Sequence, residues 1–151
     1  MIKIIAVGNI KEQYLKDAID EYKKRISKYT NLEIIEVKDE GLVEKEKAMK
    51  LEEEKIMKYI GDRDYVVTLE IEGKELSSPE LATKLNNIMI ENSNLTFIIG
   101  GSYGLSDNIK NLSKFALSFS KMTFPHQLFR VLLLEQIYRG YKINNNESYH
   151  K

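Results

Sequence analysis

The sequence has no cysteine among its 151 residues and only two histidines. Without cysteine the chain has no disulfide framework, no thiolate nucleophile and no cysteine-based metal site. Two histidines alone are too few for the usual catalytic zinc site, so we expect no metal. The absence of cysteine also fits the cytoplasm, where disulfides are rare, and we expect a cytoplasmic protein.

Long apolar runs are also missing. No run approaches the roughly 20 residues of a membrane-spanning helix, and the apolar segment 1–8 is too short for a signal peptide. We therefore expect no membrane association.

The chain has no net charge, which argues against a protein that coats nucleic acid indiscriminately. The charge is unevenly distributed, however, because residues 108–151 contain seven lysines and arginines but only two glutamates. This excess indicates either an anionic partner beside the C-terminal third or solvated faces with no partner.

Three common nucleotide and hydrolase motifs are absent. The first strand–helix junction, Gly8-Asn9-Ile10-Lys11, lacks the Gly-x-Gly-x-x-Gly pattern of dinucleotide-binding folds. There is no Gly-x-x-x-x-Gly-Lys-Ser/Thr run and no Gly-x-Ser-x-Gly elbow. The sequence therefore argues against an ordinary Rossmann cofactor site, a P-loop hydrolase and a serine hydrolase.

Apolar β-branched runs alternate with amphipathic stretches along the whole chain. The patterns predict strands over 2–7, 32–37, 65–69, 95–99 and 115–119. They predict helices over 13–29, 44–60, 78–91, 105–112 and 127–141, with 70–78 as a loop and 143–151 as a polar tail. This alternation predicts a single α/β domain over 1–151, with a mainly parallel sheet covered by helices on both faces.

The last predicted helix is apolar around most of its circumference. Such a helix must be buried on nearly all sides, and burying each large apolar side chain contributes roughly 1.5–3 kcal/mol. In a domain with one core, this favours a homodimer over a monomer with an unusually thick core.

Two segments that follow predicted strands favour a ligand site. Gly100 and Gly101 end the strand over 95–99, with Gly104 close behind, and the small polar loop 120–125 follows the next strand. Glycine lets bare backbone approach a ligand, and ligands of open parallel sheets collect at the carboxyl ends of the strands. The alternative is that the glycines only form a tight turn.

Three residues near the C-terminus could take part in chemistry. His126 opens the last helix, where exposed N–H groups suit a neutral base or donor, unless it only caps or packs. Arg130, one turn along, could hold a phosphate or carboxylate, unless it forms a surface salt bridge. The tail could be a flap whose Tyr149 stacks on a base, or a frayed terminus.

Five short segments together resemble one known family. They are Leu69-Glu-Ile-Glu-Gly-Lys74, Ile98-Ile-Gly-Gly-Ser-Tyr-Gly-Leu105, Thr123-Phe-Pro-His-Gln-Leu-Phe-Arg-Val131, Glu135-Gln-Ile-Tyr-Arg139 and Tyr149-His-Lys151. Their order and spacing are similar to those of the ribosomal RNA large subunit methyltransferase H family, of the SPOUT superfamily. One departure is Ser102-Tyr103, where many family members have Pro-Glu or similar.

The resemblance implies an S-adenosylmethionine-dependent enzyme that methylates N3 of a pseudouridine in 23S rRNA within assembled ribosomes. It also implies a C-terminal trefoil knot and a homodimer. Carried over by position, the cofactor-binding residues are Leu69, Glu70, Gly100, Gly101, Phe119, Ser120, Lys121, Met122, Thr123, Phe124 and Pro125. The residues expected to face the RNA or the acceptor base are His126, Arg130, Tyr149 and His150.

Either histidine could accept the proton of the acceptor base, and the sequence does not choose between them. Phosphate contacts are expected from Lys121, Arg130, Arg139, Lys142 and Lys151. Two other functions remain open at this point. One is a non-catalytic RNA- or ribosome-binding module of the same fold, and the other is a small nucleotide-binding regulatory domain.

Overall fold

A five-stranded sheet forms the centre of the protein, in a computed structural model that describes all residues 1–151. The strands are β1 (Ile2–Val7), β2 (Leu32–Val37), β3 (Asp64–Glu75), β4 (Asn94–Ile99) and β5 (Phe115–Ser118). They lie in the order β2-β1-β4-β3-β5, and every pair is parallel. The predicted parallel α/β sheet is therefore confirmed.

Five helices cover the two faces of this sheet. They are α1 (Gln13–Ile26), α2 (Lys45–Met57), α3 (Ser78–Glu91), α4 (Asp107–Leu112) and α5 (His126–Asn144). Helices α1, α3 and α5 pack in the larger apolar cluster, whereas α2 and α4 pack in a smaller one on the opposite face. No helix is both long enough and apolar enough to cross a membrane.

Strand β1 shows why the central strands are mainly apolar. Its Ile4 and Ala6 belong to the larger cluster, and its Ile5 and Val7 belong to the smaller one. A strand buried on both faces gains nothing from polar residues at alternate positions, and β1 is apolar except for Lys3 near its start.

Strand β3 is longer than predicted, and the loop expected over 70–78 is wrong for residues 70–75. Leu117 of β5 pairs with both Leu69 and Lys74, so residues 70–73 bulge out between two paired positions. Gly73 closes the bulge against β5, because a Cβ atom there would lie 2.6 Å from the carbonyl oxygen of Ala116. The strand pattern was hidden because glutamates interrupt the apolar run.

Helix α5 lies between α1 and α3 on the larger core. Leu133, Leu134 and Ile137 are fully buried within the same chain, so intramolecular packing covers much of the apolar circumference. Leu128 and Leu132 lie outside both core clusters, and Leu128 is 40% exposed. The homodimer therefore depends on this outer strip and stays a prediction.

Candidate functional site

A cavity of about 630 Å³ opens at the carboxyl ends of three adjacent strands, β4, β3 and β5. Its walls come from the bulge of β3, the glycine turn after β4 and the loop after β5, together with α4 and the start of α5. This volume lies in the range of roughly 300–1,000 Å³ that is usual for small-molecule sites. The position agrees with the general rule for ligands of parallel sheets.

The turn after β4 depends on its glycines. The Gly104 N–H donates a hydrogen bond to the Gly101 carbonyl over 3.0 Å, and Gly104 has a φ of +78°, which side chains disfavour. A Cβ atom on Gly100 would lie 2.8 Å from the Gly104 carbonyl carbon, and one on Gly101 would lie 2.8 Å from Val7 Cγ1. The glycines thus form a tight turn that also lines the cavity.

The loop after β5 is held by its own side chains. The Ser118 hydroxyl donates to the Ser120 carbonyl over 3.1 Å, and Ser120 Oγ accepts from the Met122 N–H over 3.0 Å. Phe119 and Phe124 pack on Phe129 with ring-centroid distances of 4.8 and 6.0 Å. The three rings give the cavity an aromatic wall.

Four titratable side chains line the cavity: Glu70, Glu72, Lys110 and His126. The carboxylate of Glu70 accepts a 2.6 Å hydrogen bond from the fully buried Thr68, and its other oxygen lies 3.8 Å from Lys110 Nζ. With a neutral histidine, two carboxylates and one ammonium give these walls a net charge of −1.

The cavity brings together most of the residues predicted to bind the cofactor. Those that line it are Leu69, Glu70, Gly100, Gly101, Phe119, Ser120, Met122, Thr123 and Phe124. His126, which was predicted to face the RNA or the acceptor base, also lines it. Lys121 and Pro125 belong to the same loop but do not line it.

Sequence reasoning missed several lining residues, notably Ile71 and Glu72 in the bulge, Lys110 on α4 and Phe129 on α5. Ile71 and Glu72 fell in the supposed loop. Phe129 could have been predicted, because it follows His126 by three positions and therefore lies on the same face of the helix.

Arg130 lies inside the protein, only 1% exposed, and does not reach the cavity. It donates to Glu36 Oε2 over 2.6 Å and to the Gly8 carbonyl over 3.1 Å, while its Nε has no partner. Burial lowers the pKa of Arg130, and the hydrogen bond to Glu36 opposes that effect. The structure thus pairs Arg130 with a carboxylate of its own chain and leaves it almost no exposed surface for an RNA phosphate, and the residue joins α5 to the ends of β1 and β2.

Tyr149 and His150 also lie away from the cavity of their own chain. Tyr149 donates to Glu135 Oε2 over 2.6 Å and packs edge-on against Tyr138, and His150 Nδ1 lies 3.0 Å from Arg139. Burial and the hydrogen bond to Glu135 raise the pKa of Tyr149 above its ordinary value. The tail is therefore neither frayed nor free, because it packs on α5.

Comparison with known proteins identifies relatives over nearly the whole chain. A family profile described as "Predicted SPOUT methyltransferase" matches residues 1–150. Proteins named "Ribosomal RNA large subunit methyltransferase H" from Clostridium botulinum and Clostridioides difficile are each 53% identical to this chain. Each alignment covers 99% of this chain and 99% of the relative.

A solved structure shares the fold. It is that of a probable methylase family protein from Haemophilus influenzae, and it superposes with a TM-score of 0.57 at 14% identity. The match covers 99% of this chain and 70% of that one. At this level of identity the likeness concerns the fold alone.

Proposed function

Because this chain belongs to the SPOUT methyltransferase family, we propose that it methylates ribosomal RNA of the large subunit, with S-adenosylmethionine as methyl donor. The finer proposal is transfer to N3 of a pseudouridine in 23S rRNA, within assembled ribosomes in the cytoplasm. The observation that carries the proposal is the convergence of three strand-end segments on one cavity. Residues 1–151 are proposed to act as one domain.

The residues of the cavity suit the cofactor. The aromatic wall of Phe119, Phe124 and Phe129 offers apolar surface to a flat base. The cofactor carries a sulfonium, an ammonium and a carboxylate, so its net charge of about +1 complements walls of opposite net charge. When bound, S-adenosylmethionine supplies a methyl group activated by its sulfonium.

The chain itself must position the acceptor nitrogen and accept its proton. Positioning can supply roughly 7–11 kcal/mol of the barrier, and a general base typically adds about 10²–10⁴-fold. His126 lies at the cavity and is exposed, so an RNA base can reach it. We propose His126 and His150 as alternative proton acceptors, and the exposed Lys121 and Lys151 as phosphate contacts.

A second protomer completes the proposal. Within one chain, Tyr149 and His150 do not line the cavity, so a catalytic role for the tail requires the tail of a partner. The apolar strip of Leu128 and Leu132 offers a contact surface for that partner.

We also propose the trefoil knot of the family. After the edge strand β5, the chain crosses back so that Arg130 contacts Glu36 of β2 and Gly8 after β1, a path that is compatible with a threaded C-terminus.

The test combines cofactor binding with methyl transfer. Wild-type protein is titrated calorimetrically with S-adenosylmethionine, and then incubated with labelled cofactor and ribosomes that lack the modification. We expect binding in the micromolar range and label at one nucleoside of 23S rRNA. Gly101→Arg should abolish both, because a side chain at this position would collide with Val7 and displace the turn that lines the cavity. His126→Ala and His150→Ala, assayed separately, assign the proton acceptor.

Two further variants keep the result interpretable if Gly101→Arg does not fold. Thr123→Arg places the same charge at an exposed lining position, and Asn86→Arg places it on the exposed surface of α3, away from the cavity. The first should lose binding and the second should keep it. Ribosome association without methyl transfer would instead indicate a non-catalytic binding module, and a preference for plain nucleotides would indicate a regulatory domain.

A further inference from the structure

The ion pair between Glu70 and Lys110 differs from every other ion pair in the chain. Its 3.8 Å separation exceeds hydrogen-bond distance, whereas the other six pairs lie at 3.4 Å or less. It is also the only pair with both partners in the wall of the cavity. An ion pair that is this long and partly exposed contributes about 0–1 kcal/mol to stability, so stability alone gives little reason for it.

Both charged groups have hydrogen-bonding capacity to spare. Lys110 Nζ makes no hydrogen bond within the chain, although an ammonium has three donors. Glu70 uses only Oε2, which Thr68 holds, and Oε1 makes no hydrogen bond. Because Thr68 is fully buried and lies 2.9 Å from the Ser113 hydroxyl, it is a well-anchored donor that holds Oε2 of Glu70 at the cavity wall.

The two groups come from different parts of the fold. Glu70 is carried by the bulge of β3, and Lys110 by the short helix α4 that follows the glycine turn. Together they present a carboxylate and an ammonium side by side at one cavity wall. An α-amino acid presents the opposite pair, an ammonium and a carboxylate on one carbon, and hydrogen bonds between charged groups are the stronger ones.

We propose that Glu70 and Lys110 form the subsite for the amino-acid end of S-adenosylmethionine. Lys110 Nζ donates to the carboxylate of the cofactor, and Glu70 Oε1 accepts from its α-ammonium. This inference rests on the proposed function. It adds which part of the cofactor these two residues bind.

The experiment pairs variants with truncated ligands in titration calorimetry. The probes are S-adenosylmethionine, its decarboxylated form, which keeps the amine, and 5′-methylthioadenosine, which lacks the whole amino-acid end. Lys110→Met should weaken S-adenosylmethionine by at least about tenfold and leave the other two ligands within about twofold. Glu70→Gln should weaken S-adenosylmethionine and the decarboxylated form by a similar factor, and leave 5′-methylthioadenosine unchanged.

Matched controls are available close by, with Glu75 on β3 and Lys114 just after α4. Lys114→Met and Glu75→Gln remove one charge each from exposed side chains that do not line the cavity, and both should bind all three ligands as wild type does. The subsite is overturned if Lys110→Met or Glu70→Gln weakens 5′-methylthioadenosine as much as S-adenosylmethionine, because the residue then acts on the nucleoside. It is equally overturned if neither variant changes the affinity for S-adenosylmethionine. Wild-type protein that binds no S-adenosylmethionine would overturn the proposed function itself, and the subsite with it.

Discussion

Asp64 joins β3 to β1 and β4 near the amino-terminal ends of these strands, at the opposite end of the sheet from the cavity. Its Oδ2 accepts hydrogen bonds from the Gly61 N–H, from Lys3 and from Thr96, at 2.8, 3.2 and 3.0 Å. Burial alone would raise the pKa of Asp64, but these hydrogen bonds outweigh burial and hold the pKa below its ordinary value. The ionised form therefore stabilises the fold above the ordinary pKa of an aspartate, and this contribution is lost as pH falls through the lowered pKa.

Asp64→Asn should lower the free energy of unfolding by about 3 kcal/mol at pH 7, because it leaves Lys3 and the Gly61 amide without a charged partner. The difference from wild type should shrink as pH is lowered from about 4 towards 2. Urea unfolding at a fixed protomer concentration measures both quantities. Asp20→Asn, at an exposed site on α1, should change the free energy by less than about 0.5 kcal/mol. An equal loss at every pH would contradict the assignment.

The residues of the site were partly predictable. The glycines of the turn were found because two adjacent glycines after an apolar run indicate close backbone approach. Arg130 was not placed correctly, because helical spacing gives the angle of a side chain around the axis but not the depth of its burial. Only the fold shows that Glu36 of β2 meets Arg130 from 94 positions away in the sequence.

Helix α3 begins with a capping box formed by Ser77 and Glu80. Ser77 Oγ accepts from the Glu80 N–H over 3.2 Å, and Glu80 Oε1 accepts from the Ser77 N–H over 2.8 Å. Each partner satisfies a backbone donor that the first turn of a helix would otherwise leave unpaired.

Ser77→Ala should therefore cost about 1 kcal/mol in the free energy of unfolding, because one of these donors loses its acceptor. Thermal or urea unfolding measures the change. Ser93→Ala, at an exposed position where the hydroxyl makes no hydrogen bond, is the matched control and should be nearly neutral. A Ser77→Ala variant as stable as this control would show that water replaces the cap.

The secondary structure elements themselves were largely predictable. Strands β1 and β2 begin and end at the predicted residues, and every predicted helix is present. Both ends of α3 agree with the prediction, and the ends of the other helices differ by at most three residues because fraying and final turns leave no strong signal. The second half of β3 could not be predicted, since its pairing depends on Leu117 and Ser118 of β5, which lie far from it in the sequence.

The assembly of two chains tests the role of the outer strip of α5. We expect the protein to sediment as a dimer, and the double variant Leu128→Lys, Leu132→Lys to sediment as a monomer with an unchanged circular dichroism spectrum. Because the two substitutions remove two leucine side chains that the proposed interface would bury, the dissociation constant of the dimer should rise by about a hundredfold or more.

Met57→Lys is the matched control for that experiment. Met57 is 43% exposed, much like Leu128, but it lies on α2, which covers the opposite face of the sheet. The control should remain a dimer. A wild-type chain that sediments as a monomer would remove the partner from the proposed site, and with it any catalytic role for Tyr149 and His150.

Strand β3 departs from β5 after Leu69 and returns to the same partner residue at Lys74. The length of the bulge between these two residues is therefore independent of the pairing register of β3 and β5 on either side of it. Insertions or deletions within residues 70–73 can reshape the wall of the cavity while the sheet keeps its register.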